Sequence, residues 1–123
     1  MTHNRESNGY FAHERLAAYQ LALEALVLID EIIRALSPPY GELAKQLRDA
    51  SLSVVANIAE GVGKDGRDQL RFFRIARGSA YESAALIEGA YHLRLTSAES
   101  RGRVRERLLS VAALLTRMLR VGQ

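Results

Sequence analysis

The sequence predicts an all-α protein, an antiparallel up-down-up-down four-helix bundle. Three observations carry that expectation. Apolar residues recur at four-three spacing in four separate stretches of the 123 residues, the pattern of a helix that buries one face. Residues that stop or start helices separate the stretches. No run alternates apolar and polar positions over a useful length, so strands have no support. Four long helices on short connections pack as antiparallel neighbours. Residues 12–121 are expected to form this one domain, behind a disordered N-terminal segment, 1–11.

The first helix is predicted from about Ala12 to Leu36. Leu21, Ala25, Leu28, Ile32 and Ala35 make one stripe. Leu16, Tyr19, Leu23 and Leu26 make a second, rotated around the cylinder. Two stripes ask for burial on two sides, one in the bundle and one against something else. The "SPPYG" stretch ends the helix, because two prolines cannot continue it and Gly41 permits a turn. The second helix follows over about Glu42–Glu60, with Leu43, Leu47, Ala50, Val54, Asn57 and Ile58 on its stripe. Gly61 and Gly63 are expected to end it. Asp65 is the expected cap of a third helix, with Asp68 in its first turn, and that helix runs to about Leu95. Its stripe is Phe73, Ala76, Ala80, Ala84, Ile87 and Tyr91, with Gly78, Ser79, Ser83 and Gly89 allowing a close neighbour. "TSAE" at Thr96–Glu99 has the form of a capping box and opens the fourth helix. There Val104, Leu108, Val111, Leu115 and Met118 form the cleanest stripe in the chain.

Composition removes several kinds of function. There are no cysteines, hence no disulfide and no thiolate metal site. The polar start, "MTHNRESNGYFAHER", lacks the apolar core of a secretory signal. The apolar stretch of the first helix is broken by Gln20, Glu24 and Asp30, so no membrane span is expected and the cytoplasm is the default compartment. A di-iron bundle needs Glu-x-x-His pairs on two helices. Only Glu88 and His92 come near, at i,i+4, and read as a surface ion pair. "GVGKDGR" lacks the Lys-Ser/Thr ending and the preceding strand of a phosphate loop. No catalytic residue, metal or cofactor is expected.

Charge is placed unevenly. Residues 1–60 hold 5 Lys/Arg against 8 Asp/Glu, a balance of −3; residues 61–123 hold 12 against 6, a balance of +6. All basic residues except Lys45 and Lys64 are arginine, whose planar fork suits phosphate and carboxylate. Arg67, Arg71 and Arg74 open the third helix; Arg101, Arg103, Arg105 and Arg107 open the fourth. In an antiparallel bundle the two clusters lie at opposite ends, about 35–40 Å apart. Both are candidate nucleic-acid-binding surfaces, salt-sensitive and weakly sequence-specific. Aromatic platforms for stacked bases are scarce there.

The polar residues of the second helix are candidates for a structural network. A buried Asn57 needs partners, expected in the Ser79–Glu82 region of the third helix or in the loop after Gly61. Glu60 stands in the last turn, where the helix dipole disfavours it. It therefore asks for a cation, with Arg48, Arg71 or Arg74 as candidates. The alternative is a half-buried Asn57 and a solvated Glu60.

These residues also carry a resemblance. "QLRDASLSVVANIAEG" followed by "RDQLRFFRIARGSAYES" resembles the signature of the four-helix-bundle proteins first noticed in intervening sequences of bacterial large-subunit ribosomal RNA genes. The matching positions include Gln46, Leu47, Arg48, Ser53, the run Ala56–Gly61, Arg71–Phe73, Ala76, Gly78, Ser79 and Glu82. Three positions depart from the pattern. Val55 stands where proline is common, Asp49 replaces a second arginine, and Tyr81 replaces an apolar residue. The resemblance, over about Ala12–Leu119, implies an up-down bundle. It also implies likeness to the accessory protein of diversity-generating retroelements, a homopentameric barrel that binds nucleic acid and a reverse transcriptase. On that basis a ring-shaped homopentamer is expected, with itself, RNA or DNA, and a partner protein as possible associates. The preferred function is a non-enzymatic homo-oligomer that binds nucleic acid, RNA foremost, through arginines. The alternative is a scaffold that docks a partner enzyme without binding nucleic acid.

Overall fold

A computed structural model describes residue 13 and residues 16–122. The N-terminal segment 1–11 and the expected helix start at Ala12 lie outside the described residues. Within them the chain forms four α-helices and one short 3-10 turn: α1 Ala17–Arg34, the turn Pro38–Tyr40, α2 Gly41–Val62, α3 Gly66–His92 and α4 Ala98–Val121. Among the described residues there is no strand, and no helix is long and apolar enough to cross a membrane.

Contacts run α1 to α2, α2 to α3, α3 to α4 and α4 back to α1, with no diagonal pair, so the helices stand at the corners of a square. Cross-helix bonds set the register. Ser53 meets Ser79 between α2 and α3; Arg77 meets Thr116 between α3 and α4; Glu24 meets Arg107 between α1 and α4. The core is aliphatic, with Ile29, Leu47, Ile58, Ile87 and Leu115 fully enclosed, each worth about 1.5–3 kcal/mol in burial.

Several expected details shift, each for a local reason. α1 starts at Ala17, because Leu16 is extended (φ −76°, ψ 132°), and it ends at Arg34 rather than Leu36. Its core stripe is Ala18, Ala22, Ala25, Ile29 and Ile32. Small residues take the inner face, while Leu23 is exposed and Leu21, Leu26 and Leu28 are only half-buried. α2 runs two residues past Glu60, with Gly61 buried inside it. A Cβ on Gly61 would sit 2.6 Å from Phe73 Cε1, so this glycine serves the approach of α3 rather than ending α2. Asp65 occupies the N-cap position of α3, but its carboxylate accepts no backbone N–H. Instead Gln69 Nε2 donates to the carbonyls of Gly61 and Lys64, each at 3.0 Å, tying the end of α2 to the start of α3.

α3 stops at His92 rather than Leu95. Arg94 turns left-handed (φ 64°), while the Leu95 and Arg94 N–H groups donate to the carbonyls of Ala90 and Tyr91, a Schellman closure without its usual glycine. The capping box at Thr96–Glu99 does not form. Ser97 is the cap, its Oγ accepting from the Ser100 N–H at 3.0 Å. On α3, Ser79 and Ser83 are buried against neighbours, whereas Gly78 and Gly89 face open space and, among the described residues, serve no close approach.

Candidate nucleic-acid interface

The arginines that open α4 are matched to carboxylates. Arg101 donates from Nε and Nη2 to the two oxygens of Glu88 at 3.1 and 2.9 Å, the parallel fork geometry that guanidinium and carboxylate favour. It also lies over the Tyr91 ring, 4.7 Å from the centroid. The Arg101 hydrogen bond holds the Glu88 carboxyl below the usual carboxylate range, against partial desolvation that pushes the other way. Arg105 sits 3.8 Å from the same Glu88, and Arg103 sits 3.8 Å from Glu31 of α1. Arg107 reaches Glu24 of α1 at 3.2 Å and Glu106 at 3.1 Å. All four expected phosphate ligands of this end therefore face acidic partners.

The start of α3 differs. Arg67 and Arg74 are exposed and, among the described residues, enter no ion pair. Arg71 pairs with Asp68 at 3.1 Å, a neighbour on its own helix, and stacks over Phe72 at 4.4 Å. Antiparallel packing brings the end of α4 to this level. The Arg77–Thr116 bond at 3.1 Å places Arg120 about level with Arg74. Arg117 and Arg120 are also exposed and, among the described residues, unpaired. Neither is among the arginines expected from the sequence to bind phosphate. The signal lay in the up-down topology itself, which returns the last turn of α4 to the first turn of α3.

The polar network of α2 is narrower than expected. Asn57 is half-buried, and its Nδ2 donates to the Ser53 carbonyl at 2.8 Å and to Ser53 Oγ at 3.0 Å, within its own helix. Ser53 Oγ in turn meets Ser79 Oγ at 2.7 Å, so Asn57 reaches α3 only through Ser53, which matches the family pattern but was not among the residues expected in this network. Glu60 is exposed and faces Lys64 at 3.4 Å, not Arg48, Arg71 or Arg74, because Lys64 lies one turn on along the same side of the chain. Arg48 and Glu82 are exposed and, among the described residues, outside this network. His92 Nδ1 donates to the Glu88 carbonyl at 3.0 Å and lies 3.6 Å from the Glu88 carboxylate, an exposed pair. No group of three metal-ligating side chains comes together among the described residues.

A family model described as 23S rRNA-intervening sequence protein matches residues 14–117. No curated protein matches the chain.

Proposed function

We propose a function from the premise that the chain belongs to the 23S rRNA-intervening sequence protein family: a non-enzymatic, homo-oligomeric bundle of the cytoplasm that binds RNA. One observation carries the reading. Arg67, Arg74, Arg117 and Arg120 gather at one end of the bundle, exposed and, among the described residues, unpaired, with Arg71 beside them. Unpaired guanidinium groups keep their donors for phosphate oxygens, and each contact releases condensed counterions. The resemblance to pentameric accessory proteins favours five copies in a ring, which would repeat this end five times around one rim. The arginines that open α4 are secondary in this reading, since an incoming phosphate must compete with Glu88, Glu24 and Glu31.

A mobility-shift titration with a structured RNA at low salt tests it. Binding that weakens steeply with salt is expected. The triple variant Arg67→Glu, Arg74→Glu, Arg120→Glu should lose about a hundredfold in affinity while keeping its helical circular dichroism. Unchanged affinity would remove this end as the interface. The alternative, a scaffold docking a partner enzyme, draws on the exposed apolar side chains Val27 and Leu52. Purification with a protein partner and no nucleic acid would favour it.

A further inference from the structure

Five exposed large apolar residues lie at one height of the bundle, on two opposite sides. Leu23, Val27 and Leu52 belong to the α1/α2 side, where an apolar groove of about 370 Å³ also takes in Leu26 and Ile33. Tyr81 and Leu109 belong to the α3/α4 side, with Ala84 and Ala112 in the shallow groove between them. The cross-helix bonds fix their heights. Ser53 opposite Ser79 sets Leu52 level with residue 80, beside Tyr81. Arg101 on Glu88 and Arg77 on Thr116 set Tyr81 level with residues 108 to 112, where it shares a groove with Leu109. Arg107 on Glu24 sets Leu109 level with Ala22, beside Leu23.

The two sides also differ in charge. Helices α1 and α2 hold six carboxylates against three basic residues, a balance of −3. Helices α3 and α4 hold ten arginines against five carboxylates, a balance of +5. Two copies joined by the same face would set like charge against like. Joined by opposite faces, they set the side of negative balance on the side of positive balance, −1 against +3 once Glu24 and Glu31 are left to Arg107 and Arg103 of their own copy, and cover both apolar patches.

We propose that the α1/α2 face of one copy docks on the α3/α4 face of the next copy of this chain, with Leu52 and Val27 against Tyr81 and Leu109. This rests on the homo-oligomeric reading above and assigns its surfaces. Such a contact is heterologous: it leaves one free face of each kind on every added copy and stops only by closing into a ring. Rotation about an axis parallel to the bundle preserves height, so the two patches meet without tilt. That arrangement also sets the unpaired arginines of every copy on the same rim.

The chain has no cysteine, so engineered ones report the contact cleanly. Leu52→Cys and Leu109→Cys proteins, each alone and then mixed and exchanged, would be treated with a short bismaleimide. The expected result is a covalent dimer in the mixture and little in either protein alone. A chain carrying both cysteines should give a ladder of multimers. Dimers from either single variant alone would overturn the proposal, since that is a same-face contact. So would an absence of cross-links from a protein that native mass spectrometry shows to be oligomeric, and in that case the oligomeric reading survives. A wild-type chain that sediments as a monomer would overturn both. Leu52→Arg, which places a cation against the basic face, should yield a folded protein with assembly lost.

Discussion

The two ends of the bundle each carry a cluster of arginines and treat them in opposite ways. Where α4 begins, Arg101, Arg103, Arg105 and Arg107 are met by Glu88 from α3 and by Glu24 and Glu31 from α1. Where α3 begins, the end of α4 brings more cations, Arg117 and Arg120, and of the carboxylates there, Glu60, Asp65 and Asp68, Glu60 pairs with Lys64 and Asp68 with Arg71. The ends also differ in what joins their helices. Ion pairs tie α4 to α1 and α3 at the first end. At the second, Gly61 sits against Phe73 and Gln69 closes the α2–α3 connection. A run of arginines thus becomes a ligand surface or a set of internal ties according to what the adjoining helices place at its level.

Reversing charge at each end separates the two roles most strongly. Against the roughly hundredfold loss expected at the free end, Arg101, Arg103, Arg105 and Arg107 changed together to Glu should cost less than about tenfold in RNA affinity. The same variant should melt at a lower temperature than wild type, because four new carboxylates would face Glu24, Glu31 and Glu88. The free-end variant should keep its melting temperature. Equal affinity losses from the two variants would erase the distinction.

Packing at the free end gives the next largest effect. Phe73 is 4% exposed and its ring lies 2.6 Å from where a Cβ on Gly61 would stand, so Gly61→Ala forces the ring to shift within the apolar groove it lines with Val62 and Met118. Overpacking of this kind costs about 1–3 kcal/mol. The better helix propensity of Ala returns up to about 1 kcal/mol. The net loss in urea unfolding is expected between about 0 and 2 kcal/mol, and it should not change with salt. A Gly61→Ala protein more stable than wild type would mean that α3 does not need its close approach there.

Much of this architecture was legible in the sequence, and the failures share a cause. Four stripes at helical spacing, the Pro38–Pro39 break and the fourth-helix core from Val104 to Leu115 are local signals, and the helices follow them. Gly61 looked like a helix stop because its reason for being glycine, Phe73, is twelve residues away on another helix. The inner face of α1 looked leucine-rich, but close packing favours Ala18, Ala22 and Ala25 there and moves Leu23 outward. The arginines failed most plainly. Arg107 and Glu24 are 83 residues apart, and nothing in either stretch names the other. Arg67 and Arg107 look alike as sequence; only the assembled square shows that one is free and one is tied.

The finest test of the comparison is Glu88, the acid that serves two arginines of the tied end. Arg101, hydrogen-bonded to it, lowers its pKa from the ordinary glutamate value. A carboxyl whose folded pKa is depressed contributes stability that is fully present above the unfolded pKa and lost as pH falls through the folded one. The tied end should therefore loosen on the acid side of the ordinary glutamate range, while neutral pH leaves it intact. Side-chain NMR titration should place the Glu88 midpoint below the ordinary glutamate value, and a midpoint at or above that value would mean that the fork to Arg101 is not kept in solution. Glu88→Gln removes the acceptor charge. It should lower the melting temperature at neutral pH and abolish the part of the acid dependence that belongs to this end. It also frees Arg101 and Arg105, so RNA affinity should rise, making the tied end behave more like the free one. If affinity stays flat while the melting temperature drops, pairing is not what keeps these arginines from phosphate, and their position on the bundle must be the reason.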